Sequence, residues 1–335
     1  MKGVQSFHGG PDALGVPLYD FSTNSNACGP CPQTLTALRA CDASRYPDPT
    51  YTALKAQLAE FHAVEPARIV LAGSASEFIF RITARVAQQG GQTVRVPLHA
   101  YGDYAQAARA WGLSVVTAGH EETALQWHAD PSSPLGQSIV GAGRASAATV
   151  QVLDCAYAPL RLSCSSPWTR AQRDGLWQLY TPNKALGLTG VRAAYAIASL
   201  NGAQAVTALN ALCPSWPLGA HGVALLQSWV QADMQAWLHA SLQTLRGWKL
   251  RQIQLLQQAG WTVQSSDTSF FCAQPPAGVD VVALCVQLRA QGIKLRDTTS
   301  FGLPGWVRIS VQAPAAQDAL HAAVLHPKLE TSRAS

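Results

Sequence analysis

The sequence is poor in charge. Asp, Glu, Lys and Arg make up 13% of its 335 residues, about half of the roughly 25% in an average soluble protein. A chain that stays disordered needs the opposite balance, so most of this one folds. It also lacks an apolar run of the roughly 18 or more residues that a membrane helix requires. The opening residues, Met1-Lys2-Gly3-Val4-Gln5-Ser6, hold no apolar signal core, which predicts a cytoplasmic protein. The net charge of +5 comes from scattered arginines. No Lys/Arg block forms a nucleic-acid tract. Lysine is especially rare: Lys2, Lys55, Lys184, Lys249, Lys294 and Lys328 are the whole set. Chemistry that needs a lysine must use one of these, and most of the others sit among polar residues, as solvated lysines do.

Several motifs are missing. No GxSxG elbow, P-loop or GxGxxG is present, so the commonest hydrolase, NTPase and dinucleotide signatures are excluded. The histidines do not cluster. His120 and His128 flank Glu121 and Glu122 without the i, i+4 spacing of a helical zinc site, so no metal is expected. The eight cysteines belong to a chain too long to need disulfide staples. Cys155, Cys272 and Cys285 have apolar neighbours and read as small buried hydrophobes. Cys28-Gly29-Pro30-Cys31 has redox spacing, but a polar loop precedes it and Pro32 follows. A Gly-Pro turn fits it better than a reactive thiol at a helix start.

The middle of the chain alternates two periodicities. Strand-like runs cover Arg68–Ala72, Thr93–Val96, Leu113–Thr117, Ala148–Leu153, Trp177–Thr181 and Val191–Ile197. Helical spacing covers Ser76–Gln88, with Phe78, Ile79, Ile82 and Val86 on related faces, and Gly102–Trp111. Such alternation predicts a mostly parallel α/β sheet covered on both faces. Gly222–Leu256 reads as one or two long helices, and short strands return at Trp261–Gln264, Ser269–Ala273 and Trp306–Val311. The expected organisation is an arm over 1–44 that belongs to a small domain, a large domain over 45–220 and a small α+β domain over 221–335.

Three segments carry chemistry. Leu71-Ala72-Gly73-Ser74-Ala75-Ser76-Glu77 is a small-residue turn from strand to helix, suited to holding an anion on free amides. Val152-Leu153-Asp154-Cys155-Ala156-Tyr157 places an acid at the carboxyl end of a buried strand, where open parallel sheets gather their sites; a helix cap is the alternative reading. In Thr181-Pro182-Asn183-Lys184-Ala185-Leu186-Gly187-Leu188-Thr189-Gly190-Val191-Arg192 a lysine among small and apolar residues precedes an arginine by eight positions.

That order resembles the class I/II aminotransferases, pyridoxal-phosphate enzymes of fold type I, over nearly the whole chain. The resemblance implies a large α/β domain with a mostly parallel seven-stranded sheet, a smaller α+β domain, and pyridoxal 5′-phosphate as cofactor. It implies that Lys184 is catalytic and binds the cofactor covalently. Asp154 is implied to pair with the pyridine nitrogen, Tyr157 and Ser133 to face the ring oxygen, and Tyr101 to stack on the ring. Ala75, Ser76, Thr181 and Arg192 are implied to hold the cofactor phosphate. Tyr46 is implied to reach the phosphate from the partner subunit of a homodimer. His8-Gly9-Gly10, Asp20-Phe21-Ser22-Thr23-Asn24-Ser25-Asn26, Arg45-Tyr46-Pro47-Asp48-Pro49 and Arg296-Asp297-Thr298-Thr299-Ser300-Phe301-Gly302-Leu303 are together similar to the threonine-phosphate decarboxylases of cobalamin biosynthesis. His8, Gly9, Asn26, Arg296 and Arg308 are then implied to surround the substrate. The implied reaction is decarboxylation of L-threonine O-3-phosphate to (R)-1-aminopropan-2-yl phosphate. The alternative is an aminotransferase for a phosphorylated amino acid, since histidinol-phosphate aminotransferases share Arg-Tyr-Pro-Asp. Ser133 stands where that family has asparagine, Asn183 where Ser, Thr or Gly precedes the lysine, and Cys155 where Glu is common. These departures leave room for a member that binds without turnover.

Overall fold

The computed structural model describes residues 9–118, 122–138 and 148–325. The first elements are β1 (Tyr19–Asp20), α1 (Pro32–Ala40) and α2 (Thr52–His62). Next come β2 (Ile69–Ala72), α3 (Ala75–Gln88), β3 (Thr93–Arg95), α4 (Gly102–Ala110), β4 (Ser114–Val116), β5 (Leu125–Ala129), β6 (Val150–Asp154), α5 (Arg170–Asp174), β7 (Trp177–Tyr180) and β8 (Ala194–Ile197). After α6 (Ala203–Ala211), α7 (Ala220–Trp229) and α8 (Ala232–Gln258) come β9 (Thr262–Val263), β10 (Phe270–Gln274), α9 (Val281–Ala290), β11 (Ile293–Lys294), β12 (Arg296–Asp297), β13 (Val307–Ser310) and α10 (Pro314–Leu325). No helix among the described residues is long and apolar enough to cross a membrane.

Seven strands form one sheet in the order β2-β8-β7-β6-β5-β3-β4. Only β8 runs against its neighbours; the other pairings are parallel. β2 and β8 are buried along their whole length, as apolar strands covered on both faces should be. Phe78, Ile79, Ile82 and Val86 of α3 are buried against the sheet, so the 3.6-residue spacing located the inward face. β5 was invisible to that reading because Gln126 and His128 interrupt its apolar run; it lies inside the sheet between β3 and β6. β8 starts three residues later than the β-branched Val191 suggests, since 191–193 close the loop that carries Lys184.

The second sheet is antiparallel, in the order β12-β13-β10-β9. β1 pairs with β11 in parallel, and Ser310 N–H donates to the Phe21 carbonyl at 2.8 Å. The amino-terminal segment is therefore stitched to the carboxyl-terminal sheet. It also meets the lysine loop, because Asn26 N–H donates to Lys184 O at 2.9 Å and Cys31 N–H to Leu186 O at 2.8 Å. A Cβ on Gly29 would stand 2.9 Å from the Gly187 Cα, so both positions need glycine for this approach. Cys28 and Cys31 are free thiols, with α1 starting only after the second. Lys249 departs from the solvated pattern expected of it. It is buried on α8 and donates to the Ser266 carbonyl, and burial holds its ammonium down to about 8.

Candidate active site

The carboxyl ends of β2, β3, β5, β6 and β7 open on one cavity of ≈ 930 Å³, whose other wall comes from the amino-terminal segment and the antiparallel sheet. Local chemistry shapes each contribution. Ser74 caps α3 by accepting the Glu77 N–H at 3.0 Å. The first amides of a helix have no carbonyl partner within it, so Ala75 and Ser76 bring donors and a positive dipole end to the cavity wall. Arg81 pairs with Glu77 at 2.9 Å and donates to Leu71 O at 2.6 Å, which braces that turn from behind. Ser76 Oγ and Tyr101 Oη are 3.3 Å apart.

Asp154 ends β6. Tyr104 Oη donates to its Oδ2 at 2.6 Å and Ala156 N–H to its Oδ1 at 2.8 Å. Burial pushes the Asp154 carboxyl up, and those two donors with the Lys184 charge oppose the rise. Lys184 Nζ lies 5.4 Å from the centre of the Tyr157 ring, which meets Phe270 edge-on. Asn183 explains its own departure from the family pattern. Its side chain accepts from Thr181 Oγ1 at 2.9 Å and donates to the Thr189 and Val191 carbonyls. That knot turns Lys184 and Arg192 toward the same cavity. Among the described residues Arg192 has no ion-pair partner, so its guanidinium is free to take an anion.

The opposite wall is cationic. Arg296 on β12 and Arg308 on β13 are direct cross-strand partners. Arg308 is 7% exposed. It donates to Ser133 Oγ at 3.2 Å and Ser22 O at 2.9 Å; among the described residues its Nε has no hydrogen-bond partner and no carboxylate forms an ion pair with it, Asp20 acting only from a distance. Arg296 donates to Asp297 O and Ser300 Oγ, at 2.7 and 2.8 Å, and lies over the Phe301 ring. Burial, then the neighbouring Arg308, hold Arg296 down to about 10. Like charges directly opposite on paired strands destabilise a sheet, and buried cations call for a partner, which an anion from outside the chain could supply.

The cavity brings together most residues singled out from the sequence: Gly9, Ala75, Ser76, Tyr101, Ser133, Asp154, Tyr157, Thr181, Lys184, Arg192, Arg296 and Arg308. Gly9 is pressed so close to the chain that a Cβ would stand 2.3 Å from Ser22 O. His8 lies outside the described residues. Tyr46 stands away from this cavity, exposed and stacked on Trp216 at 4.4 Å. Asn26 needs correction. Its side chain is buried behind the lysine loop, donating to Ala185 O and Ser241 Oγ at 2.9 and 2.8 Å and accepting from Cys28 N–H. The neighbour facing the cavity is Asn24, 3% exposed, with no partner for either side-chain atom. Asp20 accepts from Ser22 and Thr23, and Ser25 N–H bonds back to Thr23 O, so the chain turns between the two asparagines. Sequence spacing carries no sign of that turn. Unpartnered buried polar atoms and cations without an ion pair among the described residues fit a site built for an anionic ligand. Among the described residues no cluster could hold a metal.

The model of the family "Aminotransferase class I and II" matches residues 147–325, more than half of the chain. The chain belongs to this family. This aminotransferase-family protein is 26% identical to histidinol-phosphate aminotransferase 2 of Burkholderia mallei, over 93% of this chain and 92% of that one. It is likewise 26% identical to the histidinol-phosphate aminotransferase of Natronomonas pharaonis, over 88% and 86%. Its fold matches the Sinorhizobium meliloti histidinol-phosphate aminotransferase solved with pyridoxal-5′-phosphate, with a TM-score of 0.77 at 23% identity over 90% of this chain and 88% of that one. The L-threonine-O-3-phosphate decarboxylase of Porphyromonas gingivalis matches with a TM-score of 0.74 at 20% identity, over 91% and 97%. The architecture is fold type I, with the expected seven-stranded, mostly parallel sheet.

Proposed function

We propose that this chain acts on a small amino compound carrying a phosphate, and that it transfers the amino group. Pyridoxal 5′-phosphate is the cofactor. Bound in the cavity, it supplies an electron sink for the pair released when a bond to the substrate α-carbon breaks. Lys184, whose amine lines the cavity, would hold the cofactor covalently and, once the substrate amine has displaced it, its freed Nζ could hold or move a proton at the substrate α-carbon. Asp154 would accept the pyridine N–H, and Tyr157 would face the ring oxygen. Tyr101 would cover the ring. Arg192, the hydroxyl of Ser76 and the first amides of α3 would hold the cofactor phosphate, with Thr181 beside them. Arg308, Arg296 and Asn24 receive the substrate's anionic groups. The observation that carries this reading is the buried Arg296–Arg308 pair, which forms no ion pair with a carboxylate among the described residues. The names of the curated relatives reported above support amino transfer.

A second reading has its own support. The Asp20–Asn26 and Arg296–Leu303 segments, far apart in sequence, meet at this cavity. These segments carry the resemblance to threonine-phosphate decarboxylases, and two arginines suit a substrate with both a carboxylate and a phosphate. Decarboxylation needs the Cα–carboxylate bond across the ring plane, whereas amino transfer needs the Cα–H bond there. Product analysis separates them. Amino transfer requires a 2-oxo acid and yields its amino acid; decarboxylation of L-threonine O-3-phosphate releases carbon dioxide and (R)-1-aminopropan-2-yl phosphate without an acceptor. Carbon dioxide release with no acceptor present replaces the first reading by the second.

We also propose that the active form is a homodimer in which Tyr46 reaches the cofactor phosphate of the other subunit. An aromatic pair left exposed beside Pro47 supports this.

A further inference from the structure

Tyr104 follows Tyr101 by three residues on α4 and is fully buried. Its ring lies parallel to the Trp127 indole, 4.4 Å away with 9° between the planes, a stack that fixes where the hydroxyl points. A buried phenol needs an acceptor, and a backbone carbonyl would satisfy it for folding alone. Here the acceptor is Oδ2 of Asp154, at 2.6 Å. With the Ala156 amide on Oδ1, each carboxylate oxygen receives one donor and keeps one lone pair. The groups that face the carboxylate are few: Tyr104 from α4, Lys184 from the loop after β7, and Cys155 next along the chain. Tyr157 and Tyr101 stand behind the Tyr104 phenol. Burial and Asp154 hold that phenol well above its ordinary range, so it stays a donor.

We propose that Tyr104 is a positioning residue that keeps Asp154 an anion, oriented to accept the ring N–H of the cofactor. This rests on the pyridoxal reading above. A protonated Asp154 would donate to the ring nitrogen and leave it neutral. A carboxylate already accepting from Tyr104 and Ala156 can only accept a third donor. No proton moves from Tyr104; its hydrogen bond sets which partner keeps the one shared between Asp154 and the ring.

Tyr104→Phe retains the stack and removes one donor. Two readouts test it in the full-length protein. The first is cofactor-free: the Asp154 carboxyl band in infrared difference spectra against Asp154→Asn, followed from pH 4 to 9. Its protonation midpoint is expected to rise by about one pH unit or more in Tyr104→Phe. The second is the dissociation constant for added pyridoxal 5′-phosphate. It is expected to weaken about tenfold at pH 6 and less at pH 9, with no further loss when Tyr104→Phe is added to Asp154→Asn. A purely structural tyrosine would weaken binding equally at both pH values. An unmoved midpoint with normal cofactor binding overturns the role of Tyr104 alone. A moved midpoint in a protein that never binds the cofactor overturns the pyridoxal reading instead. If Tyr104→Phe does not fold, 3-fluorotyrosine at this position, a stronger donor of the same shape, is expected to lower the midpoint; no change there overturns the proposal.

Discussion

Arg308 and Asn24 are costly to the folded chain, and that cost is the reason for proposing that they serve a ligand. A buried guanidinium without a carboxylate is worth less to stability than a well-packed apolar side chain. Arg308→Met is therefore expected to unfold at a higher denaturant concentration, by about 1–3 kcal/mol, while kcat/KM falls by roughly a hundredfold or more as an anion loses its partner. Loss of both stability and activity would mean that the arginine is structural. The two asparagines make an opposed pair. Asn24→Ala breaks no protein hydrogen bond, so its melting midpoint should stay near that of the parent while substrate affinity drops. Asn26→Ala removes bonds to Ala185 O, Ser241 Oγ and Cys28 N–H, and should cost about 1–3 kcal/mol. Chemical denaturation of both variants checks this, and equal costs would contradict the assignment. At this scale the sequence was informative about placement wherever a residue's type and its position after a strand point the same way: Asp154, Lys184 and Arg192 line one cavity. It was silent where a turn decides which neighbour faces inward, as between Asn24 and Asn26. It also missed Tyr104, whose role depends on a partner fifty residues away.

At the scale of elements, α2 is held to the sheet by a polar contact buried among aromatic rings. His62 Nε2 meets Tyr195 Oη at 2.8 Å, and Trp229 Nε1 donates to the same hydroxyl. Burial, then the charge of Arg173, hold His62 down to about 4, from 6.5. Below pH 6.5 the unfolded chain takes up a proton that the folded one refuses. The contribution of His62 is therefore complete above pH 6.5 and declines toward pH 4. Urea unfolding of wild type minus His62→Gln should show a difference that shrinks by on the order of 2 kcal/mol across this window. A difference independent of pH would show that His62 titrates normally. Element type was readable where the periodicity is clean, as in α3 and β6. It was not readable in β5, whose polar Gln126 and His128 are accommodated between neighbouring strands. The two-residue strands β1, β11 and β12 were equally invisible, since they exist through pairing rather than local preference.

At the scale of the whole molecule, one cavity lies between the large sheet and the small antiparallel sheet, and the amino-terminal segment closes it from the side. Tyr46 points away from it, 77% exposed, which fits a contribution to a second copy. Sedimentation equilibrium is expected to give a dimer. Tyr46→Phe should weaken cofactor retention without dissociating it, whereas a fully active monomer would remove that part of the proposal. The central claim is that Lys184 and the Arg296–Arg308 pair serve one reaction on a phosphorylated amine. Its most direct test is phosphorus NMR of the cofactor-loaded protein incubated with histidinol phosphate or L-threonine O-3-phosphate, with and without 2-oxoglutarate. The expected result is conversion of a phosphorylated amine to a new phosphorylated product, matched by glutamate formation and abolished by Lys184→Ala. No conversion of either compound, or conversion that survives Lys184→Ala, would contradict the account.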